Sequence, residues 1–149
     1  HCGHKFMKKF MKNWYYPKVL CVCSANQLRS PTMAWMVSNP PYSCDTRSCG
    51  TDCDSYYGGI AITDTAVLWS DIILCADRGH LFNVDQRIIK IVGASSGVYP
   101  KSHLPLIICL DIPDEYNYRD SKLVSLIRLQ LNRGPFKQFI RCVKKRCVV

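Results

Sequence analysis

The sequence lacks long apolar runs, internal repeats and low-complexity segments. None of its apolar runs approaches the roughly 20 residues of a membrane-spanning helix, so we expect no membrane span. The basic N-terminal stretch is not followed by an apolar segment, so no secretory signal peptide is predicted. Because 48% of the 149 residues are hydrophobic, the chain can build one domain with its own core.

Cysteine is abundant, yet the ten cysteines lack the patterns of a disulfide scaffold or a zinc site. Cys21, Cys75 and Cys109 lie inside apolar, strand-like runs, where a free thiol behaves as a small hydrophobic side chain. Cys49-x3-Cys53 has no second ligand pair at zinc-finger spacing. We therefore predict reduced thiols, a cytoplasmic location, no metal and no other cofactor.

Acidic residues are scarce at both ends, so the net charge of +9 is unevenly distributed. Residues 1–18 hold five lysines and no acid, and residues 119–149 hold nine basic residues against Asp120 alone. Residues 19–118 carry six basic and ten acidic side chains, a net charge of −4. The basic ends are either solvated faces or a surface for nucleic acid, an acidic protein or another anionic partner.

Short apolar strands alternate with helical segments along the chain, which favours a parallel sheet covered on both faces. We predict a basic N-terminal tail over 1–17, an α/β domain over 18–131 and a basic helical extension over 132–149. Within the tail, residues 1–6 are expected to be a remnant of protein production, with Met7 or Met11 as the natural start.

The most informative stretch follows the first predicted strand, at residues 19–22. It reads Cys23-Ser24-Ala25-Asn26-Gln27-Leu28-Arg29-Ser30-Pro31. Pro31 is typical of the first turn of a helix, so the loop connects a strand end to a helix N-terminus. Such a junction directs backbone N–H groups at one point and forms an anion site, which favours the thiolate form of a cysteine at its edge.

The residue types in this loop suit phosphoryl transfer through a cysteine. Cys23 is the candidate nucleophile, and Arg29 can grip two oxygens of a phosphate-like dianion through its planar fork. Ser30 can donate a hydrogen bond to the sulfur, and Asn26 tolerates the left-handed backbone that a tight loop often needs. The predicted phosphate-binding residues are Cys23, Ser24, Ala25, Asn26, Gln27, Leu28, Arg29 and Ser30.

A leaving alkoxide or phenoxide needs a proton, so a carboxylic acid should face the thiolate. Asp111, Asp114 and Glu115 all follow the strand predicted at 106–110 and are open candidates. Tyr116 and Tyr118 are predicted to wall a slot for a flat substrate group, with ordinary loop aromatics as the alternative.

One aspartate and two histidines outside the loop also have predicted roles. Asp77 is predicted either to brace the loop, together with Ser30 and Asn26, or to be a surface aspartate. His80 and His103 are predicted to be non-catalytic.

Four segments together resemble the low-molecular-weight protein tyrosine phosphatase family over about residues 18–131. They are the Cys23–Pro31 loop, Ser48-Cys49-Gly50-Thr51, residues 70–77, and Leu110-Asp111-Ile112-Pro113-Asp114-Glu115-Tyr116. The last segment is similar to that of a small bacterial and phage branch. The resemblance implies a three-layer α/β sandwich with a four-stranded parallel sheet in the order 2-1-3-4, the phosphotyrosine protein phosphatase I-like fold.

The resemblance also implies an activity, that of a protein-tyrosine phosphatase acting on phosphorylated protein through a cysteinyl-phosphate. An ungapped match puts the general acid at Asp114, with Asp111 as runner-up. Leu28 stands where some members carry a second loop cysteine, and the segment between Gly50 and Asp71 lacks the histidine that supports the loop asparagine. Substrate preference therefore stays open.

Three other functions remain as alternatives. One is a phosphatase for RNA ends or nucleotides, suggested by the basic termini. The second is an arsenate reductase, for which Cys75 is a candidate relay cysteine without a second one at short spacing. The third is a phosphate-binding regulatory module without turnover.

Overall fold

The computed structural model describes residues 15–54, 57–95 and 103–146. This part of the chain contains four strands and five helices in largely alternating order. The strands are β1 (Lys18–Cys23), β2 (Asp45–Gly50), β3 (Ile72–Cys75) and β4 (Leu106–Cys109). The helices are α1 (Arg29–Ser38), α2 (Asp64–Trp69), α3 (Arg78–Ala94), α4 (Ser121–Arg133) and α5 (Phe136–Arg146).

The four strands form one parallel sheet in the order β2-β1-β3-β4, which confirms the predicted topology. Cys23 at the end of β1 pairs with Gly50 at the end of β2, and Val22 pairs with Cys75 at the end of β3. Cys75 in turn pairs with Cys109 at the end of β4. All four carboxyl ends therefore meet at one edge, where open parallel sheets place their ligand sites.

The strand residues alternate between two cores, one on each face of the sheet. Val19, Cys21 and Cys23 belong to the core beneath α1, α4 and α5. Leu20 and Val22 belong to the core beneath α2 and α3. Burial on both faces explains why β1 and β3 are continuous apolar runs, and it gives the molecule three layers.

Both predicted domain boundaries fall inside the packed structure. Tyr15 packs against the first core and its hydroxyl donates to Asp71 Oδ2 at 2.7 Å, so residues 15–17 belong to the domain. In α5, Phe136 is fully buried and Val143 is 1% exposed in the same core. The helix of the predicted C-terminal extension thus packs against the first core. The expectations for residues 1–6, Met7 and Met11 lie outside the described residues.

Helix α3 begins at Arg78 because Asp77 caps it. The Asp77 carboxylate accepts hydrogen bonds from the backbone N–H groups of Gly79 and His80 at 2.9 and 3.3 Å. Such a cap satisfies donors that the first helical turn leaves free. No helix in the described ranges has the length and apolar character to cross a membrane.

Candidate active site

Hydrogen bonds of the Asn26 side chain stabilise the loop between β1 and α1. Its backbone adopts the left-handed conformation with φ of 58°, as the sequence predicted. Its side-chain amide donates to Ser30 Oγ at 3.0 Å and to Ser48 Oγ at 2.9 Å, while its carbonyl oxygen accepts from the backbone N–H of Ile60 at 2.9 Å. Asn26 therefore connects the loop to the start of α1, to β2 and to the segment that follows β2.

Cys23 lies at the bottom of this loop and is 3% exposed. Its sulfur is 2.9 Å from Ser30 Oγ. The single hydroxyl proton of Ser30 can serve this sulfur or the carbonyl oxygen of Cys49, which lies 3.2 Å away. A hydroxyl at this distance can stabilise a thiolate, which is the nucleophilic form of cysteine.

Arg29, the first residue of α1, is 3% exposed and held on several sides. Its Nη1 donates to Asp77 Oδ2 at 3.0 Å and to the carbonyl oxygen of Ile112 at 2.9 Å. Its Nη2 donates to Ser24 Oγ at 3.3 Å. The guanidinium plane is thus fixed through Nη1, and its Nε and Nη2 edge lies on the side of Ser24 and Asp114.

Asp114 is the acidic residue that the structure brings to the loop. Its Oδ1 lies 3.5 Å from Arg29 Nε, and its side chain is 61% exposed. It lines a cavity of about 80 Å³ together with Cys23, Ser24, Ala25, Gln27, Leu28 and Arg29. A nucleophilic thiol, a buried guanidinium and a carboxyl group therefore share one small cavity.

The other residues predicted around the cavity are placed differently. Asp111 is exposed and accepts a hydrogen bond from Cys109 Sγ at 3.4 Å. Glu115 is also exposed. Tyr116 packs against the first core, and Tyr118 is 46% exposed with the Arg119 guanidinium 5.0 Å from its ring centre. None of these four side chains lines the described cavity.

Asp77 links the loop to α3, because the carboxylate that caps the helix also holds Arg29. Burial acts to raise the pKa of Asp77, but the hydrogen bond and charge of Arg29 and the hydrogen bond from the backbone N–H of His80 outweigh it, so the pKa lies below the usual value. The carboxylate therefore stays ionised and keeps the guanidinium in place.

His80 has partners that sequence reasoning missed. It is 3% exposed; its Nε2 lies 2.8 Å from Ser24 Oγ, and its Nδ1 accepts from the backbone N–H of Asp77 at 3.1 Å. Burial lowers the pKa of His80 despite the opposing charge of Asp77. The ring is therefore neutral and donates from Nε2 to Ser24, so the 3.2 Å approach of Nδ1 to Asp77 Oδ1 is not an ion pair. His103, by contrast, is exposed.

Close backbone contacts beside the loop depend on two glycines that the sequence did not single out for this purpose. A Cβ atom at Gly50 would collide with the carbonyl oxygen of Ser24 and lie 2.9 Å from the backbone nitrogen of Asn26. A Cβ atom at Gly59 would collide with the carbonyl oxygen of Ala25. Only residues without a side chain allow the two loops to meet this closely.

The remaining thiols near the sheet are poorly suited to chemistry. Burial raises the pKa of Cys49 to about 12 and raises the pKa of Cys75 further. Cys75 is fully buried, which does not favour the relay role considered for an arsenate reductase. Within the described ranges, no group of three or more potential ligands is arranged to hold a metal ion.

No protein-family model and no curated protein matches this sequence. Solved structures do match it in three dimensions. The low-molecular-weight protein tyrosine phosphatase SP-PTP of Streptococcus pyogenes superposes with a TM-score of 0.53 at 17% identity, covering 81% of this chain and 92% of that one.

Two other solved structures match to a similar degree. Wzb of Vibrio vulnificus, in complex with benzylphosphonate, gives 0.52 at 17% identity, covering 89% and 99% of the two chains. YfkJ of Bacillus subtilis gives 0.51 at 16% identity, covering 83% and 97%. Together with the sheet order, these likenesses show that the chain has the fold of the low-molecular-weight protein tyrosine phosphatases.

Proposed function

We propose that the protein is a cysteine-dependent phosphomonoesterase, and specifically a protein-tyrosine phosphatase. The observation that carries the proposal is the cavity in which Cys23, Arg29 and Asp114 meet at the N-terminus of α1. The fold and the sequence resemblance support it, because both lead to the same family. The described cysteines are all free, which suits a reducing compartment, and we place the protein in the cytoplasm.

In the first step, the Cys23 thiolate attacks phosphorus and the bond to the leaving oxygen breaks. The substrate's phosphoryl oxygens lie against Arg29 Nε and Nη2 and against the N–H groups of residues 24–29. The dianion replaces the Asp114 carboxylate beside Arg29 Nε, which leaves that residue at the rim of the site. There, protonated Asp114 gives its proton to the departing phenolate.

In the second step, water attacks the cysteinyl-phosphate. Asp114, now a carboxylate, takes the proton of this water, the P–S bond breaks and orthophosphate leaves. Ser30 lies close enough to the sulfur, at 2.9 Å, to stabilise the returning thiolate. These two reaction steps use no metal ion.

Phosphotyrosine on protein is the proposed substrate. The nucleophile lies at the bottom of a small cavity. A phosphate on the long, flat side chain of tyrosine can reach it more easily than a phosphate on the short side chain of serine or threonine. The Wzb structure of Vibrio vulnificus contains benzylphosphonate, an aromatic group joined to a phosphonate, and the proposed substrate has a similar combination of a ring and a phosphate group.

The first test is hydrolysis of an aryl phosphate by the purified protein in the presence of a metal chelator. Turnover blocked by vanadate is expected, and Cys23→Ser should lose at least about a thousandfold in kcat because no other described side chain replaces the nucleophile. Full activity of Cys23→Ser would overturn the proposal. Phosphotyrosine peptide should be a better substrate than 3′- or 5′-phosphorylated oligonucleotide.

The same assay identifies the general acid. Asp114→Asn should slow a substrate with a poor leaving group by about 10²–10⁴-fold and a substrate with a good leaving group far less. Asp111→Asn is the matched control, since it removes the same charge from the same loop outside the cavity. If Asp111→Asn shows the leaving-group dependence instead, the assignment of Asp114 is wrong.

A further inference from the structure

A second cavity lies at the end of α1 remote from Cys23. It has a volume of about 350 Å³ and lies between the end of α1, the loop after it, α4 and the start of α5. The residues that line it include two aromatic residues, Trp35 and Tyr42, two basic residues, Arg128 and Lys137, and Asn132. Because a ten-residue helix is about 15 Å long, this cavity is separate from the catalytic loop.

The aromatic walls of this cavity are held in place. The Tyr42 ring packs edge-on against buried Phe136, with 5.4 Å between ring centres, and its hydroxyl donates to Asn132 Oδ1 at 3.4 Å. Trp35 is 36% exposed, and the Arg119 guanidinium lies 4.2 Å from its ring centre. Rings that are already positioned lose little conformational entropy when a flat ligand binds between or against them.

The cavity is also positively charged without a compensating acid. Among the residues that the structure describes, no carboxylate lines it. Burial raises the pKa of Tyr42, and the nearby charge of Arg128 only partly opposes this, so the phenol stays neutral at physiological pH. Arg128 and Asn132 lie one turn apart on α4 and present a cation and an amide together.

The positive charge continues beyond the cavity along both C-terminal helices. Neither α4 nor α5 contains an acidic residue. The exposed cations on these two helices are Lys122, Arg128, Arg133, Lys137, Arg141, Lys144 and Lys145. Since α4 alone has 13 residues, its exposed cations are distributed along a helix of about 20 Å, which is longer than one phosphorylated side chain requires.

We propose that this cavity and the basic surface of α4 and α5 bind single-stranded nucleic acid. One base would enter the cavity against Trp35, and the neighbouring phosphates would contact Arg128 and Lys137. Aromatic stacking beside a cationic track is the combination that recognises single strands without strong sequence preference. A paired base in a duplex cannot enter such a cavity, so the proposal excludes duplex as the preferred ligand.

The test measures fluorescence anisotropy of a labelled single-stranded oligonucleotide of about 12 nucleotides, with the full chain as titrant. Two competitors are compared: an abasic oligonucleotide of equal length and charge, and vesicles of phosphatidylcholine and phosphatidylserine in equal parts. We expect the base-containing strand to bind about tenfold or more tightly than the abasic strand, because stacking is lost in the latter.

Paired variants locate the surface. Arg128→Gln with Lys137→Gln should weaken binding at least tenfold and reduce the slope of log K against log salt by about 1.4, or roughly 0.7 for each lost phosphate contact. Arg78→Gln with Lys90→Gln, on α3, removes the same charge elsewhere and should change binding less than threefold. Trp35→Ala should remove the preference for base-containing over abasic strands.

Each other outcome contradicts the proposal. Equal binding of the abasic strand, or equal weakening by the two charge-matched double variants, means that the attraction is only a diffuse charge effect. Tighter binding to the vesicles assigns the surface to a membrane. Absence of binding at about 50 mM salt removes the site altogether. The hydrolysis of an aryl phosphate is measured separately, so failure of this proposal is distinguishable from failure of the proposed activity.

Discussion

At the scale of single residues, the catalytic loop owes its shape to groups distant in sequence. Asn26 reaches Ser48 and the backbone of Ile60, which lie 22 and 34 positions later. Ser24 is oriented by His80, 56 positions later. The loop residues themselves were predictable, since the local order of Cys23, Arg29 and Pro31 carries the signal. The contacts with Ser48 and Ile60 were not predictable, because a serine in a strand or a backbone N–H has no distinctive pattern.

For His80, the sequence did contain a pattern that could have indicated its position beside the site. Asp77 and His80 occupy the cap and the third position of α3, an arrangement similar to a capping box, in which the two residues bond each other's backbone N–H. That pattern at the end of a buried strand indicates a helix start beside the site. The prediction that His80 does not act chemically remains, because its contacts position Ser24 rather than a substrate.

The first prediction concerns the close contact between Gly50 and the backbone of the catalytic loop. Gly50→Ala places a methyl group against the carbonyl oxygen of Ser24 and 2.7 Å from Cys53 Sγ, so the catalytic loop must shift. We expect kcat/KM for an aryl phosphate to fall at least tenfold and the free energy of unfolding to fall by about 1–3 kcal/mol.

Gly93→Ala is the matched control for Gly50→Ala. A Cβ atom there meets nothing within 4 Å, and the position lies near the end of α3. It should leave activity unchanged and raise the free energy of unfolding by about 0.5–1 kcal/mol. Normal activity in Gly50→Ala, measured alongside this control, would show that the contact does not shape the loop.

At the scale of secondary-structure elements, β1, β3 and β4 were readable because each is almost entirely apolar, which in β1 and β3 accompanies burial on both faces. Helix α5 was recognisable as a helix but not as part of the core. Its charged residues dominate its composition, while Phe136 and Val143 occupy the core beneath them. A sequence pattern shows that a helix has an apolar face, but not which partner covers that face.

The second prediction concerns the contribution of α5 to stability. Phe136 is fully buried and contacts Tyr42, so Phe136→Ala should lower the free energy of unfolding by about 3–5 kcal/mol. Phe82, which is 66% exposed on α3, provides the control, and Phe82→Ala should change it by less than about 0.5 kcal/mol. Urea denaturation of both variants makes the comparison. Equal, small effects would mean that α5 is dispensable.

At the scale of the whole molecule, stability should depend on pH through His80. Burial lowers its pKa in the folded state, so below about pH 6.5 the unfolded chain binds more protons than the folded one. Stability is therefore fully present above the unfolded pKa and is lost as pH falls through the folded pKa. Protonation would also remove the acceptor for the backbone N–H of Asp77.

The measurement is the urea midpoint at pH 7.5, 6.5 and 5.5, for which we expect a progressive decrease. His80→Gln should be less stable at pH 7.5 but should show a shallower decrease, because the titrating group is gone. Parallel profiles for the two proteins would assign the pH dependence to other groups, such as Asp77, whose lowered pKa acts in the same direction at more acidic pH.

Helix α1 carries a site at each of its ends, and this has a consequence for how the protein would work in the cell. The cavity beside Tyr42 and the one beside Arg29 do not overlap, so a polymer captured at one end leaves the other open to solution. If both proposals hold, the chain is a tethered catalyst. The bound nucleic acid would determine where the protein is located. The substrates would then be the phosphorylated proteins that bind the same nucleic acid.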